Sequence, residues 1–402
     1  MIVRNPTPGE VERAAEVASI AFPNLSLERW QESFATIAEL FGEQFILVAE
    51  VDQEIVSSLL CTLGPIKMGD ALISHSAVGA VGTLPDYRRM GCAGAMMTQS
   101  VKLLRKEGIC ASSLWPFSYP YYRKFGWEVG AESRAYSGPA SVFVELGDPS
   151  NARPATPDDM DAVKTIYHVI ARSYCCLTER SDEWWTRIIR IGEYLKSAES
   201  GCGILLHSTE GRPDSYAVYA TQVKDEKTAI HVKEMMFWEP DQRVDMLAFL
   251  AAMSPESQIH FGTPVDDSFL HHLPDPRAVH TSIEPSFQFR IIDPEQAMLA
   301  LTPMEHVSGQ VSFSLSDPVF KHGFQFGIEV EDGEVALCKA DPGSLIETDI
   351  QTMAKMYSGY LSPMDAWDMG KLRIAGNAAL AVVTAGEVFG VLTPYRSWLE
   401  PG

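Results

Sequence analysis

The stretch from Ala77 to Gly108 constrains this chain more than any other, because it joins an apolar uncharged run to a basic, glycine-bearing loop and then to helical periodicity. Ala77-Val-Gly-Ala-Val-Gly-Thr-Leu84 predicts a buried strand, which Pro85-Asp86 stops. The loop is Tyr87-Arg88-Arg89-Met90-Gly91-Cys92-Ala93-Gly94. After it Ala93, Met96, Met97, Ser100, Val101 and Leu104 recur at helical spacing, and Gly108 is placed to end the helix. A loop that feeds a helix N-terminus presents unpaired backbone N–H groups and the positive end of a dipole. Gly91 removes a side chain from that approach, and Arg88 and Arg89 add charge. The predicted product is an anion cradle.

A second apolar strand is expected over Ile109-Cys-Ala-Ser-Ser-Leu-Trp115, followed by Pro116-Phe-Ser-Tyr-Pro-Tyr-Tyr122-Arg-Lys-Phe-Gly-Trp127. Arg88-x-x-Gly91-x-Ala93 resembles the Q/R-x-x-G-x-G/A coenzyme A loop of the GCN5-related N-acetyltransferases. Tyr122-x-x-Phe125-Gly126-Trp127 resembles their Y-x-x-F-G-F/Y element, about 30 residues further on. The resemblance implies two strands that splay apart and an acetyl-CoA site between them. It implies further that Val81 and Thr83 meet the pantetheine arm, that Arg88, Arg89, Met90, Gly91, Cys92, Ala93 and Gly94 hold the pyrophosphate, and that the catalytic Tyr122 faces the thioester sulfur.

At 402 residues the chain is long enough for two to three domains. Arg4-x-x-Thr7-Pro8-x-Glu10-Val11 recurs as Arg153-x-x-Thr156-Pro157-x-Asp159-Met160, and an apolar helical run follows each copy. Pro85-Asp86-Tyr87-Arg88 reappears as Pro240-Asp241-Gln242-Arg243, but Met246 stands where the first copy has Gly91. A second, degenerate acetyltransferase-like domain is therefore expected, with the Met246 side chain filling the phosphate approach. From Pro285 the texture changes. Strand-like segments at 311–315, 324–330 and 334–337 precede two helices capped by Asp349 and Ser362 and ended by Gly359 and Gly370.

Together these parts resemble the enhanced intracellular survival (Eis) aminoglycoside N-acetyltransferases. The expected fold is α/β (α+β), with tandem GCN5-related acetyltransferase folds followed by a sterol-carrier-like α+β domain. The expected division is 1–148 for the catalytic domain, 149–285 for the degenerate one and 286–402 for the sterol-carrier-protein-like one. The resemblance implies a homo-oligomer, a hexamer of paired trimers. Two departures stand out. Phe117 occupies the place of a serine usual in the family, and Trp398 lies four residues before the end, whereas family members tend to end on an aromatic whose carboxylate enters the active site.

Attack of an amine on a thioester needs the neutral amine, yet an alkyl ammonium has a pKa near about 10.4, so a base must take a proton. The base stays open, with the terminal carboxylate of Gly402 one candidate. The leaving thiolate needs a proton or a hydrogen bond, for which Tyr122 is the candidate and Tyr121, Tyr119 and Tyr87 are rivals. The net charge of −21, from 32 basic and 53 acidic residues, disfavours nucleic acid and anionic membrane and would attract a cationic amine such as an aminoglycoside or polyamine. Phe22, Glu28, Trp30, Phe34 and Phe41 fit either an amine pocket or a core. Seven cysteines without C-x-x-C spacing, and no signal peptide, lead to the expectation of a reducing cytoplasm. His260, His271, His272 and His280 do not form a ligand pattern, so no metal is expected. No apolar run approaches the roughly 20 residues of a membrane span. Two alternatives stand beside a small-molecule N-acetyltransferase: an acetyltransferase acting on protein amines, and a carrier using the C-terminal third.

Overall fold

The two copies of the Arg-x-x-Thr-Pro-x-acid motif fold alike. In the first, the Arg4 guanidinium grips both Glu10 oxygens at 2.7 Å, and the Thr7 N–H and hydroxyl donate to Glu10 at 2.8 and 2.9 Å. In the second, Arg153 grips Asp159 at 2.8 and 2.7 Å, and Thr156 donates at 2.8 and 2.9 Å. Each is a capping box that closes the first turn and launches a helix, Val11–Ala21 or Met160–Ile170. The computed structural model describes residues 1–195, 201–224 and 227–401. By mutual contacts the chain divides into two units, Met1–Ala131 with Phe287–Leu392, and Glu132–Ser286 with Thr393–Glu400.

The first unit holds a seven-stranded sheet in the order Ile2–Arg4, Ile46–Val51, Glu54–Leu63, His75–Thr83, Ala111–Leu114, Gln288–Ile291, Glu128–Val129. Only His75–Thr83 and Ala111–Leu114 run parallel among its adjacent pairs. Helices Val11–Ala21, Leu27–Phe41 and Cys92–Lys106 pack on it. The same unit carries a five-stranded sheet with Gly309–Ser316 at its centre, beside helices Ile350–Tyr357, Pro363–Asp368 and Ala378–Phe389. Asp349 and Ser362 cap the first two of these helices, accepting from Thr352 and Asp365 at 2.6 and 3.0 Å. Gly359 and Gly370 follow them at φ +82° and +69°.

The second unit holds its own seven-stranded sheet, in the order Ala152–Pro154, Cys202–Thr209, Arg212–Lys224, Lys227–Met236, Gln258–Pro264, Glu132–Pro139, His280–Pro285. Here too one adjacent pair is parallel, Lys227–Met236 with Gln258–Pro264. The tandem acetyltransferase expectation and the sterol-carrier-like α+β expectation are both met in these sheets. Strand membership cuts the chain differently from the boundaries 1–148, 149–285 and 286–402. Glu132–Pro139 pairs in the second sheet, and Gln288–Ile291, expected to open the C-terminal domain, pairs with Ala111–Leu114 in the first. The physical reason is edge closure. Each seven-stranded sheet would otherwise leave an apolar strand edge bare, and the connecting segments cover both.

Candidate active site

The first sheet is open at its middle. Parallel pairing between His75–Thr83 and Ala111–Leu114 covers only His75↔Ala111, Ser76↔Ser112 and Ala77↔Ser113. A bulge then turns the strand. Ala80 adopts φ +52°, and the register against Glu54–Leu63 shifts between Ser58 and Leu60. Val78, Gly79, Gly82 and Thr83 stay paired on that side alone, and a cleft of about 740 Å³ opens on the other. Its lining includes Phe22, Val81, Thr83, Tyr87, Phe117 and Tyr121, together with the loop residues Arg88, Arg89, Gly91, Cys92, Ala93 and Gly94.

The loop is an anion cradle in geometry. Arg89 and Gly91 both take left-handed backbone, at φ +64° and +88°, and Gly91 is the N-cap of the helix Cys92–Lys106. The first intrahelical acceptor bond there runs from Ala95 N–H to the Gly91 carbonyl, so the Cys92, Ala93 and Gly94 amides have no helical partner. A Cβ built on Gly91 would meet nothing within 4 Å, which leaves the backbone open to a ligand. No acidic residue lies in the first helical turn. Arg88 reaches only the Thr83 carbonyl, at 3.4 Å, and Arg89 is exposed with no ion pair among the described residues. Met90 is the one loop residue of the expected set outside the cleft lining, and its side chain is exposed. These features fit the pyrophosphate of coenzyme A.

At the other side of the cleft the short helix Tyr119–Arg123 presents an aromatic cluster. Tyr121 lines the cleft, while Tyr122 lies beside it, 4% exposed, its ring 5.2 Å from that of Tyr121 and 5.3 Å from that of Phe117. Burial pushes the Tyr122 phenol well above the ordinary tyrosine pKa, with a smaller push from Tyr121. Tyr87 is committed elsewhere, donating to Glu54 at 3.0 Å. Phe125 ties the two motifs together, since its ring would lie 3.4 Å from a Cβ on Gly94. Gly402 lies outside the described residues. Among the aromatics of the first helices, Phe34 is core, Glu28 is exposed, and Phe22 lines the cleft with Trp30 packed 5.7 Å away.

The second sheet splays at the corresponding place and is filled. Parallel pairing ends at Val232↔Phe261, after which Lys233–Met236 and Gly262–Pro264 diverge. The chain's own segment Thr393–Glu400 enters there. Cys175 and Pro394 form a parallel bridge, in which the Cys175 N–H donates to the Thr393 carbonyl and the Tyr395 N–H to the Cys175 carbonyl, each at 3.0 Å. Trp398 lies against Gly262, where a Cβ would come within 2.9 Å of its ring. About 20 Å³ remains beside Tyr174, Met235 and Tyr395, roughly one water's worth.

The expectation that Met246 blocks a phosphate approach is corrected. Met246 is fully buried in the core with Leu247 and Leu250, and there is no loop for it to block. In the first copy residues 84–91 separate the strand from its helix; in the second, only 237–239 do. Gln242 closes that shorter helix end, accepting from the Trp238 and Glu239 amides at 2.9 and 3.0 Å.

Comparison with known proteins agrees with the geometry. The acetyltransferase (GNAT) domain matches residues 2–130, a second version of it matches 176–291, and the sterol carrier protein domain matches 296–397. The chain is an acetyltransferase of GNAT type, with two such domains in tandem and a sterol carrier protein domain behind them. It shares the fold of Eis1 from Mycobacterium abscessus, at TM-score 0.75 and 22% identity over 98% of this chain and 99% of that one. A GCN5-related N-acetyltransferase from Anabaena variabilis superposes at TM-score 0.81 with 17% identity and 98% of both chains covered. An uncharacterized N-acetyltransferase of Streptomyces griseus is 23% identical over 82% of each chain. GNAT domains imply use of acetyl-CoA. Among the described residues no cluster of three or more His, Cys, Asp or Glu could hold a metal, and no helix is long and apolar enough to cross a membrane.

Sequence reasoning missed the plugging segment Thr393–Glu400 and a buried arginine, Arg290, discussed below. The signal for the second was present. A lone charge inside Phe287-Gln-Phe-Arg-Ile-Ile292 must be paired if that strand is buried.

Proposed function

We propose that this chain transfers acetyl from acetyl-CoA to a primary amine of a cationic small molecule, aminoglycoside or polyamine-like, by direct attack in a ternary complex. The observation that carries the reading is the open cleft of the first sheet, with free amides and Arg89 at one end and the tyrosine pair at the other. Acetyl-CoA supplies the acetyl group as a thioester with a thiolate leaving group. The unpaired edge from Val81 to Thr83 accommodates the pantetheine arm, and the amides of 92–94 hold phosphate. Tyr122 donates a hydrogen bond to the departing sulfur. A phenol held above its usual pKa keeps its proton against a thiolate, so it stabilises charge without surrendering the proton. The acidic balance favours a cationic acceptor.

The test is acetyl-CoA turnover against a panel of aminoglycosides, polyamines and lysine peptides. Turnover with none of the small amines sinks the substrate class. Because the buried phenol titrates late, kcat should show no alkaline fall below pH about 10 if Tyr122 is the donor. Tyr121 has a specific claim of its own, since it lines the cleft, and Tyr121→Phe beside Tyr122→Phe decides between them. The Gly402 carboxylate as proton acceptor rests on the resemblance alone; extending the chain by one alanine displaces it, and an unchanged pH–rate profile rejects it.

A carrier role for the C-terminal third has one feature in its favour, a groove of about 490 Å³ beside Met304, Val307, Val383 and Phe389, and displacement of a fluorescent fatty acid would test it. Assembly as a homo-oligomer, a hexamer on the resemblance, is supported by exposed Val391, Met304 and Leu380, and light scattering checks it.

A further inference from the structure

The tyrosine turn cannot hold its own orientation. Its helix, Tyr119–Arg123, has five residues, far too few to be stable alone, and four carbonyls of the turn 119–127 point at side chains from the C-terminal third. Gln288 donates to the carbonyls of Tyr119 and Trp127, each at 3.4 Å. Gln351 donates to that of Arg123 at 3.1 Å. Arg290 donates to that of Phe125 at 2.5 Å.

Arg290 is the centre of this clasp. Its side chain is fully buried, its other terminal nitrogen lies 2.6 Å from Asp317, and Asp317 in turn accepts from the Val319 and Phe320 amides at 2.7 and 2.9 Å. The guanidinium therefore has a fixed position, set by a loop of the sterol-carrier-like domain. The turn is shaped around it. Gly126 adopts φ +94°, and a Cβ there would lie 1.4 Å from an Arg290 nitrogen, so the glycine of the Tyr-x-x-Phe-Gly-Trp motif is the space the arginine needs. The Trp127 ring lies 5.6 Å from the guanidinium carbon.

We infer that Arg290, locked by Asp317, is a positioning residue for the acetyl-transfer step, and that the sterol-carrier-like domain serves the reaction by fixing the tyrosine turn against the cleft. The inference rests on the reading of Tyr122 or Tyr121 as the hydrogen-bond donor to the leaving sulfur. It explains why Gln288–Ile291 belongs to the catalytic sheet. The strand carries the arginine and one of the glutamines to the back of the turn, and Asp317 of the sterol-carrier-like domain locks the arginine there.

The experiment uses the full chain. Arg290→Lys keeps the charge and loses the fork that spans Phe125 and Asp317. With the melting temperature measured alongside, kcat should fall roughly 10- to 100-fold, the scale of a misplaced reacting group, while KM for acetyl-CoA moves less. In a Tyr122→Phe background the same change should cause little further loss, because its route to the chemistry is gone. A folded Arg290→Lys with wild-type kcat overturns the inference, as does a loss that simply multiplies with that of Tyr122→Phe. Should Arg290→Lys fail to fold, Gln351→Ala, a partly exposed member of the clasp, takes its place; a smaller fall in kcat that vanishes in Tyr122→Phe supports the inference, and full activity rejects it. Wild-type turnover in both Tyr121→Phe and Tyr122→Phe overturns the tyrosine reading and this inference with it. A slow Tyr122→Phe beside a normal Arg290→Lys overturns the inference alone.

Discussion

The two acetyltransferase sheets of this chain share their opening capping box, a single parallel strand pair and a splay beyond it, yet one cleft holds about 740 Å³ and the other about 20 Å³. The difference does not come from one blocking side chain. Two changes coincide: the loop between strand and helix shrinks from residues 84–91 to 237–239, removing the cradle, and Thr393–Glu400 occupies the gap where a ligand would lie. A splayed strand pair has unpaired backbone that something must satisfy. In the first copy a ligand can do it, and in the second the chain does.

The plug is held by buried charge. Arg180 contacts Glu234 at 2.5 Å and Glu400 at 2.6 Å, all with side chains fully buried, and Tyr216 and Ser397 donate to Glu234 while Thr178 donates to Glu400. Burial pushes the Glu400 carboxyl upward, but Arg180 and Arg396 outweigh it and hold the pKa below its usual value. Such a group contributes stability above its unfolded pKa, and that stability is lost as pH falls through the folded value.

The hardest test of the comparison is Tyr122→Phe, which should leave cofactor affinity intact and lower turnover by roughly 10²- to 10³-fold, with no residual activity contributed by the second cleft. Steady-state kinetics on saturating amine reads it. Next comes the plug. Glu400→Ala leaves Arg180 sharing only Glu234 and should cost about 3–5 kcal/mol of stability in denaturant melts, yet acetyl-CoA stoichiometry by calorimetry should stay at one per chain, because an opened second cleft still lacks its loop. Two sites in that variant would break the comparison. Gly91→Met forces a side chain into left-handed backbone and into the phosphate approach, and the strain alone is worth about 1–2 kcal/mol. Its stoichiometry should fall toward zero at concentrations that saturate the wild type, not toward a second weaker site. The smallest effect belongs to the capping boxes. Glu10, held at about 2 chiefly by the hydrogen bond from Arg4, lies near the surface, so Glu10→Gln should cost about 1 kcal/mol or less, with the same for Asp159→Asn. The Glu10 share is present above the usual glutamate pKa of about 4.3 and disappears as pH falls toward about 2, which acid melts of wild type and variant would resolve.

Much of the first site was legible because its chemistry is local. Gly91 before an apolar helical run, two arginines beside it and a strand before it define a helix N-terminus with free amides, and each of those features acts within a few residues of the next. The repeat was legible for the same reason, since a capping box is a four-residue device. Other features depend on sequence separations that no local pattern records. Tyr121 and Tyr122 are adjacent in the chain and both rings lie 5.3 Å from that of Phe117, yet one lines the cleft and the other is buried beside it, which their order in the chain does not record. Met246 looked like a plug by alignment, but with only residues 237–239 between strand and helix it falls within the helix and faces the core.

The sequence by itself determined the strands, the cradle loop, the tandem repeat and the aromatic turn, because hydrophobic period, glycine backbone freedom and capping are set by near neighbours. The tertiary structure alone decided which cleft stays open, which strands trade sheets and what stands behind Gly126. Those outcomes rest on Arg290 with Asp317, 27 residues apart, and on Arg180 with Glu400, 220 apart. A buried charge specifies that it must have a partner, but the fold chooses which one.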